Sequence, residues 1–151
     1  QKTGVRTFEA AASLRRCGAD VTRVRKLFRE NFNDYRAKGE TIKNAEIFME
    51  RFAISECPAD YVESPTVVGS KAASELLNVI GVKASFVLTE YRGLIYISAR
   101  AIDEVNVQLI MERMGGGGHL NMAGCQLEMG LYEAKRALKE TLTEMLEEGV
   151  I

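Results

Sequence analysis

The stretch VKASFVLTEYRGLIYISARAI, residues 82–102, decides the fold. Val82, Ala84, Phe86 and Leu88 recur at every second position, and Leu94, Tyr96 and Ser98 do so again after Arg92-Gly93. Alternation of this period marks half-buried strands, because successive side chains leave opposite faces. A two-residue pair ending in glycine between two such runs is a hairpin turn. A lone hairpin is marginally stable in water, so this one requires neighbours.

The flanks supply them. AEIF (45–48) and FAISEC (52–57) are short strand-like pieces separated by MER, and Pro58 stops the second. Pro65 precedes TVVGSKAASELLNVIG, where Ala72, Ala73, Leu76, Leu77 and Ile80 form a helical face that Gly81 closes. Downstream, EVNVQLIMERM (104–114) places Val107, Ile110, Met111 and Met114 at helical spacing. GCQLEMG (124–130) reads as a strand, and LYEAKRALKETLTEMLEEG (131–149) as a terminal helix with Leu131, Ala134, Leu138, Leu142 and Leu146 inward. The expected fold class is α/β (α+β), a mixed β-sheet covered by helices.

Ahead of this layer lies a helical connector. Thr7 is the expected cap of a first helix through Phe8, Ala11, Ala12 and Leu14, with Gly18 as its stop. Asp20 is the expected cap of a second, along which Val21, Val24, Leu27, Phe28, Phe32 and Tyr35 make one apolar stripe until Lys38-Gly39. The stripe is too short to bury itself. The division expected is 1–44 for the connector and 45–151 for the sheet domain.

With 46% hydrophobic and 27% charged residues, the 151-residue chain has the composition of a globular protein. No apolar run approaches a membrane span and no signal-peptide pattern is present. Cys17, Cys57 and Cys125 are odd in number and lack a CxxC pair, which suits reduced thiols in a cytoplasmic setting. Charge is uneven: residues 1–51 hold 12 Lys/Arg against 7 Asp/Glu, and residues 52–151 hold 8 against 14.

The chemistry-bearing stretch is MERMGGGGHLNMAGC, residues 111–125, containing the only histidine. One glycine would suffice to end the helix at Met114. Four in succession, Gly115, Gly116, Gly117 and Gly118, allow amide N–H groups to converge on an anion or leave room for a flat ring, with His119 beside them. A flexible loop with a surface histidine is the competing reading. The spacing is neither a dinucleotide-binding GxGxxG nor a Walker loop, since both of those follow a strand. ISARAI adds Ser98 and Arg100 on one strand face, a pair suited to phosphate if the hairpin end and the glycine run meet. A single histidine cannot build a two-metal phosphoesterase centre, and Asp20, Asp34, Asp60 and Asp103 show no ligand spacing. By its own residues the chain binds and does not catalyse.

MGGGGHLNMAG (114–124), preceded by ISARAIDEVNVQLIME (97–112), resembles the C-terminal, DHH-associated domain of the DHH phosphoesterases. With the opening TGVRTFEAAASLRRCGAD (3–20), it is most similar to the cyclic di-AMP phosphodiesterases of the GdpP type. The resemblance implies a two-lobed enzyme: an N-terminal Asp-His-His lobe with two manganese ions, absent from this chain, and a C-terminal lobe that grips the nucleotide. Carried across, the gripping residues are Gly115–Gly118, His119, Ser98 and Arg100, with Asn106 of the NVQ element in support. It implies as partners a cyclic dinucleotide or short oligonucleotide and the missing lobe, and it leaves room for a homodimer. It also implies a fragment that is inactive alone, with no cofactor of its own, lying in the cytoplasm beneath a membrane-anchored parent and making no direct membrane contact. An oligonucleotide phosphodiesterase of the nanoRNase or RecJ kind is the alternative. A non-catalytic nucleic-acid-binding module, as in domains appended to alanyl-tRNA synthetase, is another.

Overall fold

A computed structural model describes residues 3–102 and 104–151. They form two compact units, one ending at Asn31 and the other spanning Phe32–Ile151.

The first unit holds α1 (Val5–Arg16) and α2 (Val21–Lys26). Helix α1 starts one turn earlier than the Thr7 cap expected from sequence, with Gly4 at its N-cap and no side-chain cap. Gly18 ends it as expected, at φ +95°, where its N–H donates to Arg15 and that of Ala19 donates to Leu14. Asp20 caps α2 by accepting from the N–H groups of Thr22 and Arg23. The single stripe read from Val21 to Tyr35 is two helices, however. The N–H groups of Leu27, Phe28 and Arg29 donate to carbonyls three residues back, which tightens and ends α2. Phe8, Leu14, Leu27 and Phe28 are exposed.

The second unit begins with α3 (Phe32–Lys43). It runs straight through Lys38-Gly39, where the sequence suggested a stop. Gly39 lies on an exposed helical position with open space where a Cβ would be, and an interior glycine there costs only about 1 kcal/mol. Then follow β1 (Glu46–Phe48), β2 (Phe52–Cys57), α4 (Pro65–Leu76), β3 (Ala84–Tyr91), β4 (Leu94–Ala101), α5 (Val107–Arg113), β5 (Gly117–His119), β6 (Met122–Leu127) and α6 (Leu131–Glu147). The sheet order is β1-β2-β3-β4-β6-β5, with β2 and β3 parallel and every other pair antiparallel. The fold is therefore α/β with a mixed sheet. Arg92 and Gly93 both adopt positive φ in the β3–β4 turn, as a tight hairpin requires.

One face of the sheet carries Phe52, Ile54, Phe86, Leu88, Ile95 and Ile97 in a continuous core with Ile110, Met111, Leu138 and Leu142 from α5 and α6. Met145 of α6, outside the stripe read from sequence, is buried there too. The opposite face packs Ala53 and Val87 under Ala37 of α3 and Val68, Ala72, Ala73 and Leu76 of α4. Three buried hydroxyls on this side donate to helix carbonyls: Ser55 to Thr41 and Ser85 to Ala73, both at 2.5 Å, and Thr41 to Ala37 at 2.7 Å. Helix α3, grouped with the connector in the sequence reading, thus packs with the sheet.

Helices α3 and α4 lie against β2, β3 and β4. Beyond them, on the same face, the β6–β5 side is open: Gln126, Met122 and His119 are exposed. That half-covered face carries Ser98, Arg100, Gly117 and His119, the residues singled out from the sequence.

Candidate functional site

Asn106 sets the start of α5, its side-chain oxygen accepting from the N–H groups of Gln108 and Leu109 at 3.1 and 3.4 Å. Its carbonyl oxygen is thereby committed to the helix. Seven residues later the helix ends in a Schellman turn: Gly115, at φ +82°, donates its N–H to Glu112 at 3.0 Å, and Gly116 donates to Met111 at 2.7 Å. Two of the four glycine amides are thus spent on α5, so the run is not the free cradle of converging N–H groups that composition suggests. Gly117 and Gly118 continue directly into β5, paired with Gly124 and Ala123 of β6.

The glycines are not equivalent. A Cβ on Gly116 would overlap the Gly124 carbonyl oxygen and the Cys125 Cβ, and one on Gly118, at φ +148°, would lie 2.5 Å from Ala123 Cα. These two permit close strand approach. Gly117 differs: its φ is not positive, and a Cβ there would meet nothing within 4 Å. Nothing in the fold requires that position to be bare.

The registers bring the residues singled out from sequence together. Ser98 pairs with Gly124, and Gly124 with Gly117. Two positions along, Arg100 pairs with Met122, and Met122 with His119. Directly opposed residues in an antiparallel ladder share a face. Here it is the open one, because Ala99, Ala123 and Cys125 between them are buried toward α5 and α6. The hairpin end and the glycine run therefore meet. They form a bare row (Ser98, Gly124, Gly117) beside a row of Arg100, Met122 and His119.

Arg100 is the chemically unusual member. Its guanidinium is half-buried, and burial pulls its pKa below the ordinary arginine value. One terminal nitrogen donates to the Ala99 carbonyl at 2.9 Å, the other hydrogen-bonds Ser70 of α4, and Nε is buried without a partner. Among the described residues no carboxylate pairs with it. A cation taken partly out of water without a counter-ion is costly unless an anion completes it.

An open cleft of about 470 Å³ lies against Ser98 and Gly124 of the bare row; Gly117, Arg100 and His119 do not line it. Ser98, Gly115, Gly116 and Gly124 line it, together with Thr66, Tyr96 and Gln126. Sequence reasoning missed the last three. Tyr96 shares the alternation of Ser98 and Arg100 and was there to be counted. Thr66 of α4 and Gln126 of β6 enter only through the tertiary fold.

Cys125 faces the core, and burial pushes its thiol up to about 11. It stands on the face opposite His119, so these two do not make a nucleophile–base pair. Among the described residues no group of three or more His, Cys, Asp or Glu could hold a metal ion. The donor set does not suit manganese, and no step through a metal is derived from this chain. Among them also, no helix is long and apolar enough to cross a membrane.

A mixed sheet with one face half-covered and a helix–glycine–strand turn at its open side defines the architecture. Residues 59–148 match the DHHA1 domain family, so the chain belongs to it. It is 41% identical over 98% of its length to the cyclic-di-AMP phosphodiesterase GdpP of Geobacillus thermodenitrificans, covering 23% of that protein. It is 40% identical over 91% of its length to the cyclic-di-AMP phosphodiesterase PdeA of Listeria monocytogenes, covering 21% of it. The chain thus spans under a quarter of the curated relatives it matches. Among solved structures, an exopolyphosphatase-related protein from Bacteroides fragilis superimposes with a TM-score of 0.83 at 20% identity, over 95% of this chain and 44% of that one. This last likeness is one of fold.

Proposed function

We propose that this chain is the substrate-gripping part of a phosphodiesterase that opens cyclic di-AMP to a linear dinucleotide. One observation carries the reading: a half-buried guanidinium with no carboxylate partner among the described residues, in register with the only histidine and next to a bare three-strand row. Two relatives at 40–41% identity, GdpP of Geobacillus thermodenitrificans and PdeA of Listeria monocytogenes, are cyclic-di-AMP phosphodiesterases, which supports this choice of ligand.

Arg100 and His119 hold phosphate, Ser98 donates beside them, and the bare row admits a flat ring against the main chain. Because this grip acts away from the reacting bond, its binding energy orients the scissile phosphate instead of breaking it. Hydrolysis belongs to a metal-bearing lobe, with manganese as the expected ion, that works together with this chain. The chain alone is expected to bind without turnover.

The test is a titration of the chain followed by NMR, comparing cyclic di-AMP with a short linear oligoribonucleotide. Shifts centred on Ser98, Arg100, Gly117 and His119, strongest with the cyclic ligand, are expected. Preference for the linear strand, or shifts confined to a remote surface, would overturn the reading.

A further inference from the structure

An arginine grips an anion best when its guanidinium is already aimed, because a long side chain ordered only by the ligand gives up binding energy. Arg100 is held by two fixed acceptors. One terminal nitrogen donates to the carbonyl of Ala99, its neighbour in β4, and the other donates to the Ser70 hydroxyl of α4. Two anchored nitrogens fix the plane of the group, and Nε, which has no partner, keeps its N–H for a ligand.

Ser70 can serve in this way because α4 is pinned to the sheet on both sides of it. Just before it, Gly69 brings the helix so near β3 that a Cβ there would lie 2.5 Å from Thr89 Oγ1. One turn further on, the Ala73 carbonyl accepts from Ser85 of β3 at 2.5 Å. Ser85 is in turn the register partner of Arg100 across β3 and β4. The half-buried Ser70 hydroxyl is therefore an acceptor whose place is set by the packing of α4, not by the arginine.

The chemistry of the acceptor matters as much as its place. A carboxylate would also hold the guanidinium, but it would neutralise the charge and compete with an incoming phosphate. A hydroxyl and a carbonyl orient the group and leave its positive charge to the ligand.

From this arrangement we infer that Ser70 is a positioning residue of the phosphate seat: its hydroxyl fixes the fork of Arg100 in the orientation that receives an anion. The inference rests on the function proposed above and adds to it a residue of α4 that no sequence motif marks.

Calorimetric titration with cyclic di-AMP tests it, with thermal midpoints recorded for each variant. The set is the wild-type chain, Ser70→Ala, Ser70→Thr, Ser70→Asp, Arg100→Ala and the double variant carrying Ser70→Ala and Arg100→Ala. Ser70→Ala should weaken binding by about fivefold while the midpoint hardly moves, since alanine suits a helix interior. Ser70→Thr keeps the acceptor and should stay within about twofold of wild type. Ser70→Asp also keeps an acceptor, yet should bind more weakly than Ser70→Ala because its charge cancels that of Arg100. In the Arg100→Ala background, Ser70→Ala should cost nothing further, a coupling that a merely structural serine would not show. Wild-type affinity in Ser70→Ala overturns the inference, and so does tighter binding, which would make the bond a parking place for the guanidinium. An equal loss in both backgrounds overturns it as well. In all three cases a weakened Arg100→Ala leaves the phosphate seat standing. Wild-type affinity in Arg100→Ala, or no binding by the wild type, overturns the functional reading itself, and this inference with it.

Discussion

Arg100 and His119 stand on either side of Met122 in one cross-strand row that runs from the edge of α4, where Arg100 bonds Ser70, to the open side, where Met122 and His119 are exposed. Two strand spacings separate their backbones, about 10 Å, and both side chains are long enough to close on a ligand between them. Loss of a charge-assisted hydrogen bond costs about 1.5–3 kcal/mol, so Arg100→Ala and His119→Ala should each weaken dinucleotide binding by roughly tenfold or more. Arg100→Lys keeps the charge but not the planar fork, and should recover only part of the loss. Calorimetric titration checks all three, and wild-type affinity in both alanine variants would remove the row from the site.

Gly116 and Gly117 are neighbours with opposite expected behaviour. Alanine at Gly116 drives a methyl into the main chain of Gly124 and into Cys125. Overpacking of this kind costs roughly 1–3 kcal/mol, so the thermal midpoint should fall. Alanine at Gly117 meets open space and should leave the midpoint unchanged or slightly raised, since it restricts the unfolded chain. Its methyl would nonetheless stand on the bare row, and ligand affinity should drop by about tenfold. A Gly117→Ala variant that binds normally would show that no ligand approaches the main chain there.

The hairpin of β3 and β4 was legible because alternation at period two is a local signal, and α6 because its apolar residues recur over 17 residues. The break after Lys26 was not, because Leu27, Phe28 and Phe32 keep helical spacing across it; only the backbone hydrogen bonds reveal it. Strand β5 was hidden for a different reason: two of its three residues are glycines, which carry no pattern. The identities of Arg100, Ser98 and His119 could be read in the chain. Their alignment could not, since it depends on β6 passing between β4 and β5, a long-range pairing that local sequence does not encode. Gln126 lay outside the reading for the same reason.

Asn106 has a structural task that can be separated from any contact with ligand. Its oxygen caps α5, and removing such a cap costs about 1 kcal/mol, so Asn106→Ala should lower the thermal midpoint by a few degrees. Asn106→Asp keeps the acceptor and should restore stability. If Asn106 supports the site only by fixing α5 and the glycines after it, Asp at this position will bind the dinucleotide as the wild type does. Loss of affinity at full stability would instead place its amide against the ligand.

Acid should loosen the edge of the sheet far from the site. Glu46 of β1 forms ion pairs with Lys139 at 2.8 Å and with Lys135 at 3.3 Å, and Lys135 also pairs with Glu56 at 3.0 Å. The Lys139 ammonium, aided by Lys135 and opposed by partial burial, holds the Glu46 carboxyl below its usual 4.5. A carboxylate depressed in the folded state contributes stability that is complete above its unfolded pKa and is lost as pH falls through the folded value. The loss should therefore set in below about pH 4.5. Solvent screening of this half-exposed group keeps it under about 1 kcal/mol. Denaturant midpoints between pH 7 and pH 3 check it: Glu46→Gln should be slightly less stable than wild type at pH 7, and the two should converge at the acid end. A constant gap across that range would show that Glu46 acts through packing of its stem and not through its charge.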